Sequence, residues 1–194
     1  NIGEAHLKNF KSIKDIAKAK SEIIANILDD GAIILNKDDK FFNFLSNKAK
    51  KRNLGIISFS SKKNADICLI NIKKNKNIFR IKIKVKNEFF YFDIKNQNES
   101  FIKNILACIS ILSHLDLNLN IMKNKFKNFI IPSGRGDIKI VKKFDKKFYF
   151  IDESYNANPL SMKSAIKNIS FYKRKKECKK LIFLGDMLEL GEKS

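Results

Sequence analysis

Cysteine, proline, glycine and arginine are all scarce in this chain: its 194 residues include 3 Cys, 2 Pro, 7 Gly and no Trp. Cys68, Cys108 and Cys178 are widely separated, odd in number and set in apolar surroundings. They argue against a disulfide framework or a CxxC metal site and fit a reducing cytoplasm. No apolar run reaches the roughly eighteen residues of a membrane-spanning helix. The opening NIGEAHLKNF has neither an initiator Met nor the charged and apolar regions of a signal peptide. It reads as a start in mid-sequence, and LIFLGDMLELGEKS reads as an early stop just after a strand and its loop.

What is abundant is Lys, Ile, Asn and Phe. With 44% hydrophobic residues and 17 Phe, the chain has core material for one large or two small domains. Its 40 basic and 20 acidic residues leave a formal charge of +20, which ordinarily points to nucleic acid or an anionic membrane. Here the excess is nearly all Lys, spread evenly among Asn, Ile and Phe, as expected if A/T-rich codons had drifted into permissive surface positions. A nucleic-acid groove would gather Arg and exposed aromatics on one face. A basic nucleic-acid-binding protein is therefore the alternative reading and not the leading one. Because Arg occurs only at Arg52, Arg80, Arg135 and Arg174, each Arg carries more information than another Lys.

Hydrophobic periodicity predicts a helix over 12 to 28, stopped by DDG before the apolar strand AIILN, then a helix over 40 to 51 and the strand GIISFS at 55 to 60. This alternation predicts a mainly parallel sheet covered by helices. From 67 to 94 the runs ICLINI, IFRIKIKV and FFYFDI, separated by Lys/Asn turns, predict an antiparallel meander. Helices follow over about 99 to 116 and 119 to 128. IPSGRGD (131 to 137) brings Pro and two Gly together and is the linker candidate. Beyond it, strands over 138 to 144 and 147 to 152, a helix over 160 to 172 and a strand over 180 to 184 open a second α/β unit.

Three stretches carry candidate chemistry. DESYNANP follows a strand at its carboxyl end, where open α/β sheets bind ligands. Its acids can bond a ribose or organise a metal, and its amides can both donate and accept. The same stretch reads equally as a turn, with Asn158 as N-cap and Pro159 at the first helical position. That leaves Asp152, Glu153, Tyr155 and Asn156 without a role. His6 and Lys20 flank the first helix start; on residue type alone a lone His is a satisfied polar group and Lys20 a solvated one. Arg135 sits between glycines that let backbone approach a ligand, where a rigid guanidinium suits a phosphate. A surface Arg on a flexible linker fits as well.

Six segments in order, NIGEAHLKNFKSIKDIAKAKSEI (1 to 23), GAIILNKDD (31 to 39), NILA (104 to 107), GR (134 to 135), DESYNANPLSM (152 to 162) and GDMLELGE (185 to 192), resemble the Mur ligase superfamily over essentially the whole chain. YNANP and GDMLELG resemble its D-alanyl-D-alanine-adding branch. The resemblance implies an α/β fold: residues 1–133 as the later part of a P-loop-type central domain, with a mainly parallel sheet plus the meander, and 134–194 as the start of a Rossmann-like C-terminal domain. It implies a cytoplasmic, monomeric ligase of cell-wall synthesis that joins D-alanyl-D-alanine to UDP-N-acetylmuramoyl-tripeptide, with ATP and Mg²⁺, through an acyl phosphate. Lys20 then matches a carbamate-bearing catalytic lysine and metal ligand, with Lys18 its rival, and His6 matches a ligand of the second Mg²⁺. A carbamate gives Mg²⁺ an oxygen ligand where an ammonium would repel it. Asn104 matches an adenine contact, Arg135 a residue at the ATP phosphates, and Asp152 or Glu153 a ribose contact, while Tyr155, Asn156 and Asn158 face substrate or nucleotide. A diverged relative acting on another amino acid or on a folate is a further alternative.

Two departures stand out. NQNESFIKN (96 to 104) replaces the family's Gly-x-His type approach to Asn104, and no G-x-x-G-K-[ST] loop is present to cradle phosphates. That loop is expected upstream of Asn1, so the chain alone is expected to be inactive.

Overall fold

The computed structural model describes residues 2–3, 10–171 and 179–187. The chain divides into two units, one of residues 1–2 and 17–129, the other of 3–16 and 130–194.

In the first unit a five-stranded sheet runs in the order β1-β2-β3-β4-β5, with β1 at Ala32–Asn36, β2 at Gly55–Ser60, β3 at Ile67–Asn75, β4 at Ile78–Val85 and β5 at Glu88–Ile94. The first three strands are parallel and the last three form an antiparallel meander, so β3 belongs to both patterns. Helix α2 (Phe42–Lys50) joins β1 to β2, as a parallel pair requires.

The step from β2 to β3 has no such crossover. Only two residue pairs overlap, Phe59 with Ile67 and Ser60 with Cys68, so β3 starts where β2 ends. Asp66 completes the junction: its carboxylate accepts the Ser58 N–H at 2.8 Å and the Ser58 hydroxyl at 2.6 Å. The carboxylate stands in for ladder bonds that the short overlap omits.

Core placement follows the same division. On β1 and β2 successive residues serve opposite faces: Ile34 and Ile57 pack towards helix α3 (Glu99–His114), whereas Ile33 and Ile56 pack with Ile24, Ala49 and Leu54. A strand covered on both faces reads as a continuous apolar run, and AIIL and GII do. The meander is covered on one face only, so IFRIKIKV alternates, burying Ile81, Ile83 and Val85 between lysines. Buried Ile102, Ile105, Leu106 and Ile109 of α3 meet Phe92 and Ile94, and Phe126 of α4 (Lys123–Lys127) meets Phe92 edge-on at 5.4 Å. On the open face Lys82 lies over Phe89 at 3.9 Å and near Tyr91. Interleaved Lys and aromatics here cover a sheet surface, the lysine ammonium lying over the ring.

The expected first helix divides. Helix α1 spans Ile13–Lys20, and Ser21–Asn26 tighten into a 3₁₀ turn. Ser21 donates its hydroxyl to the Lys18 carbonyl at 2.6 Å, while Arg52 draws the carbonyls of Ile24, Ala25 and Ile27 to one guanidinium nitrogen. An α-helix would leave those terminal carbonyls unpaired.

In the second unit β6 (Asp137–Lys143) and β7 (Lys146–Asp152) form an antiparallel hairpin closed by Phe144 and Asp145. Both turn residues have positive φ, 53° and 55°, which suits the twist of a two-residue hairpin. Helix α5 (Pro159–Phe171) follows. The strand expected over 180 to 184 is not formed: residues 179–187 are neither helix nor strand, and Leu181 and Phe183 are exposed. An apolar run becomes a strand only when a neighbour takes its backbone hydrogen bonds, and among the described residues none does.

Candidate functional site

The second unit brings four of the expected site residues together. Backbone hydrogen bonds zip the segment before β6 to the segment after β7: Gly136 N–H donates to the Asp152 carbonyl at 2.7 Å and Tyr155 N–H to the Gly134 carbonyl at 3.0 Å. Gly134 N–H donates to Asp137 Oδ1 at 2.8 Å. Gly134 and Gly136 have φ of +76° and +91°, and a Cβ on Gly134 would lie 3.0 Å from Tyr155 N and Cβ. Only glycine combines that conformation with that approach.

Between the glycines Arg135 projects over the exposed Tyr155 ring, its Cζ 4.0 Å from the ring centroid. Stacking uses the face of the guanidinium, and its N–H donors lie in the plane, where a carboxylate or phosphate can be gripped at the edge.

The two acids at the strand end differ in environment. Asp152 Oδ1 accepts the Ser154 hydroxyl at 2.6 Å and its N–H at 3.1 Å, and Oδ2 lies 3.9 Å from Lys139. The Ser154 bonds first, then the Lys139 charge, hold its carboxyl below the usual range. Glu153 moves the other way. Although the residue is exposed, its carboxyl leans against Gly136, and desolvation, then the charges of Asp152 and Asp137, push its pKa up. Asp152 is committed to the turn, and Glu153 is the acid with capacity to spare.

Asn158 caps α5: its Oδ1 accepts the Ser161 N–H at 2.9 Å, and the Asn158 N–H returns to Ser161 Oγ at 3.0 Å. That reciprocal box, with Pro159 at the first helical position, accounts for Asn158 and Pro159 structurally. Asn156 is exposed on the loop between turn and helix.

In the first unit Lys20 ends α1 and is exposed, as is Lys18. Asn104 is exposed on α3 beside the buried pair Ile105 and Leu106. His6, and residues 188–192 of the GDMLELGE segment, lie outside the described residues. Among the described residues no three His, Cys, Asp or Glu side chains cluster to hold a metal. The scarcity of Arg proved a mixed guide. Arg52 holds helix carbonyls and Asp29, and Arg80 makes a bidentate pair with Asp93 at 2.8 and 3.0 Å across β4 and β5. Both are structural, whereas among the described residues Arg135 has no carbonyl or carboxylate partner for its guanidinium. Sequence reasoning missed the polar network around Asp38 and Glu99, for which the acids of NKDD, following a buried strand, were the available signal.

The architecture is that of an α/β domain with a mixed sheet, followed by a unit that carries a glycine-flanked arginine and an acidic turn. Residues 1–112 match the Mur ligase middle domain, and the chain belongs to the Mur ligase family. It is 36% identical, over 99% of its length and 40% of the relative's, to the UDP-N-acetylmuramoyl-tripeptide--D-alanyl-D-alanine ligase of Buchnera aphidicola subsp. Baizongia pistaciae. It is 29% identical, over 98% of its length and 41% of the relative's, to the enzyme of that name from Rickettsia prowazekii. A crystal structure of MurF from Acinetobacter baumannii superposes with a TM-score of 0.84 at 27% identity, over 100% of this chain and 40% of that one. The Thermotoga maritima MurF ligase in complex with ADP shares the fold, with a TM-score of 0.77 at 21% identity over 100% of this chain and 42% of that one. The chain thus spans about two fifths of the length of the curated relatives it matches.

Proposed function

We propose that this chain is part of an ATP-dependent ligase that joins D-alanyl-D-alanine to UDP-N-acetylmuramoyl-tripeptide, working as a cytoplasmic monomer. The carrying observation is the 36% identity, across nearly the whole chain, to a relative of that name. The exposed Arg135 stacked on Tyr155 beside Glu153 is compatible with it.

In this reading the peptide carboxylate is activated as an acyl phosphate and attacked by the dipeptide amine. The protein's task is to position anions and neutralise their charge. Arg135 grips an ATP phosphate edge-on while Tyr155 fixes the plane of the guanidinium. Glu153, whose carboxyl lacks the turn bonds of Asp152, takes the ribose hydroxyls, and Asn104 meets the adenine. Tyr155 and Asn156 line the substrate side, and Asn158, whose side chain and backbone cap α5, anchors the loop that presents them.

Lys20 carries the carbamate. The neutral form of its exposed amine would add CO₂ and lose a proton to solvent, and the resulting carbamate would supply an oxygen ligand to Mg²⁺, with His6 a further metal ligand. The metal, when bound, supplies charge neutralisation at the transferring phosphoryl group.

The test is ADP release by the complete gene product. ADP should form only when UDP-N-acetylmuramoyl-tripeptide and D-alanyl-D-alanine are both supplied. Release with another amino acid or with a folate in a panel would instead favour a diverged relative.

A further inference from the structure

Three segments of the first unit meet where its parallel strands end. Asp38, two residues past β1, accepts the Ser60 hydroxyl at 2.6 Å, the Ser61 N–H at 2.7 Å and the Ser61 hydroxyl at 2.8 Å. Ser60 is fully buried and accepts the N–H groups of Lys62 and Lys63 at 3.0 and 2.6 Å. Lys63 Nζ reaches back to the Lys37 carbonyl at 3.3 Å. The loop after β2 is thereby closed onto the loop after β1.

From that loop the network crosses to α3. Lys62 Nζ lies 3.3 Å from Glu99 Oε1, and Lys103 Nζ lies 2.9 Å from the same oxygen. Lys103 also faces Asp38. Burial of Asp38 opposes its ionisation, but the bonds from Ser60 and Ser61 and the Lys103 charge outweigh it and keep the carboxyl ionised. Asn104 is the next residue along the helix.

A lone exposed ion pair contributes little. This one is shared by two lysines on different segments, and one of them is anchored through a buried serine to Asp38. It ties down the first turn of α3, where the sequence has NQNESF in place of a Gly-x-His approach. The hydrophobic face of α3, with Ile102, Ile105 and Leu106 buried, fixes the helix's rotation. The polar network fixes its start against the strand ends, the region where ligands of open α/β sheets bind.

We propose that Asp38 and Glu99 are positioning residues of a nucleotide site: they lock the ends of β1 and β2 to the start of α3 and so set where Asn104 presents its amide. This rests on the reading of Asn104 as a base contact. Neither acid is assigned to the nucleotide itself: both Asp38 oxygens are engaged with Ser60 and Ser61, and Glu99 Oε1 with Lys62 and Lys103.

The experiment uses the complete gene product, with ADP affinity measured by calorimetry and with KM and kcat measured for ATP and for the dipeptide. Glu99→Gln and Asp38→Asn are made alone and combined with Asn104→Ala. Glu99 lies at the surface, so its variant keeps the test usable if Asp38→Asn fails to fold. Each single variant should weaken ADP and raise KM for ATP by roughly three- to tenfold, with KM for the dipeptide unmoved. Asn104→Ala should then cost several-fold less in the Glu99→Gln background, the non-additivity expected of coupled residues. Unchanged ADP affinity in Glu99→Gln, strict additivity, or an equal rise in the dipeptide KM overturns the proposal. If the unaltered protein binds ADP but Asn104→Ala does not weaken it, the Asn104 reading falls and takes this proposal with it. If the unaltered protein fails to bind ADP, the ligase reading itself falls.

Discussion

Arg52 and Glu153 are both charged, and their expected effects on stability have opposite signs. One guanidinium nitrogen of Arg52 serves three carbonyls at the end of the Ser21–Asn26 turn. Arg52→Ala leaves them unpaired and should cost about 2 kcal/mol in chemical denaturation, the range for charge-assisted bonds in a partly exposed site. Glu153 has a raised pKa, so its protonated form is the one the fold favours. Stability from that preference is present below the ordinary carboxylate range and lost as pH rises through the folded pKa. Glu153→Gln should therefore raise the melting temperature at pH 7, with the gain vanishing in acid. Equal melting curves at pH 7 would show that the carboxyl carries no penalty. Under the ligase reading, Lys20→Ala should abolish turnover in the complete gene product, with partial rescue by short-chain carboxylic acids that replace the carbamate. Arg135→Ala should lower kcat more than it weakens peptide binding. Residue type alone separates none of these roles, because a scarce Arg that holds carbonyls and one that faces solvent look alike in sequence.

At the scale of elements, most of the secondary structure was legible. Asn158 and Pro159 announced the start of α5, and the reciprocal bonds with Ser161 are what Asn-Pro-x-Ser permits. Asn158→Ala should destabilise α5 by about 1 kcal/mol, read as faster amide exchange in its first turn. The alternation of IFRIKIKV marked a sheet with one covered face, and the continuous AIIL marked a strand with two. The helix expected over 119 to 128 divides into a 3₁₀ turn, Leu119–Met122, and α4, and two further expectations failed for non-local reasons. Whether residues 21–26 stay α-helical depends on Arg52, which lies 28 residues from Ile24. Whether residues 180–184 become a strand depends on a neighbouring strand to bond with, which apolar character does not supply.

For the molecule as a whole, acid is the informative variable. Asp38, Asp66 and Asp93 are all held below the usual carboxylate range, and Glu99 is lowered to about 2, its bond from Lys103 being the largest cause. Carboxyls of this kind stabilise the fold above their unfolded pKa values, and that contribution drains away as pH falls through the folded ones. All four belong to the first unit, whereas in the second the lowered Asp152 is opposed by the raised Glu153 beside it. Between about pH 4.5 and 2 amide exchange in α3 should accelerate more than in α5; equal acceleration in both helices would contradict this. Sequence by itself determined what short windows encode: the order of helices and strands, the capped start of α5, the hairpin before it, and the motifs that align the chain with its family. Tertiary structure alone decided what distant residues do to one another. It joined the meander to the parallel strands through Asp66, set the Glu153 carboxyl against Gly136, and brought Asp38, Ser60 and Glu99 into one network. The physical reason is range. Periodicity and capping act over a few residues, whereas the Asp38–Ser60 bond spans 22, and its formation depends on strand register and burial that no short window contains.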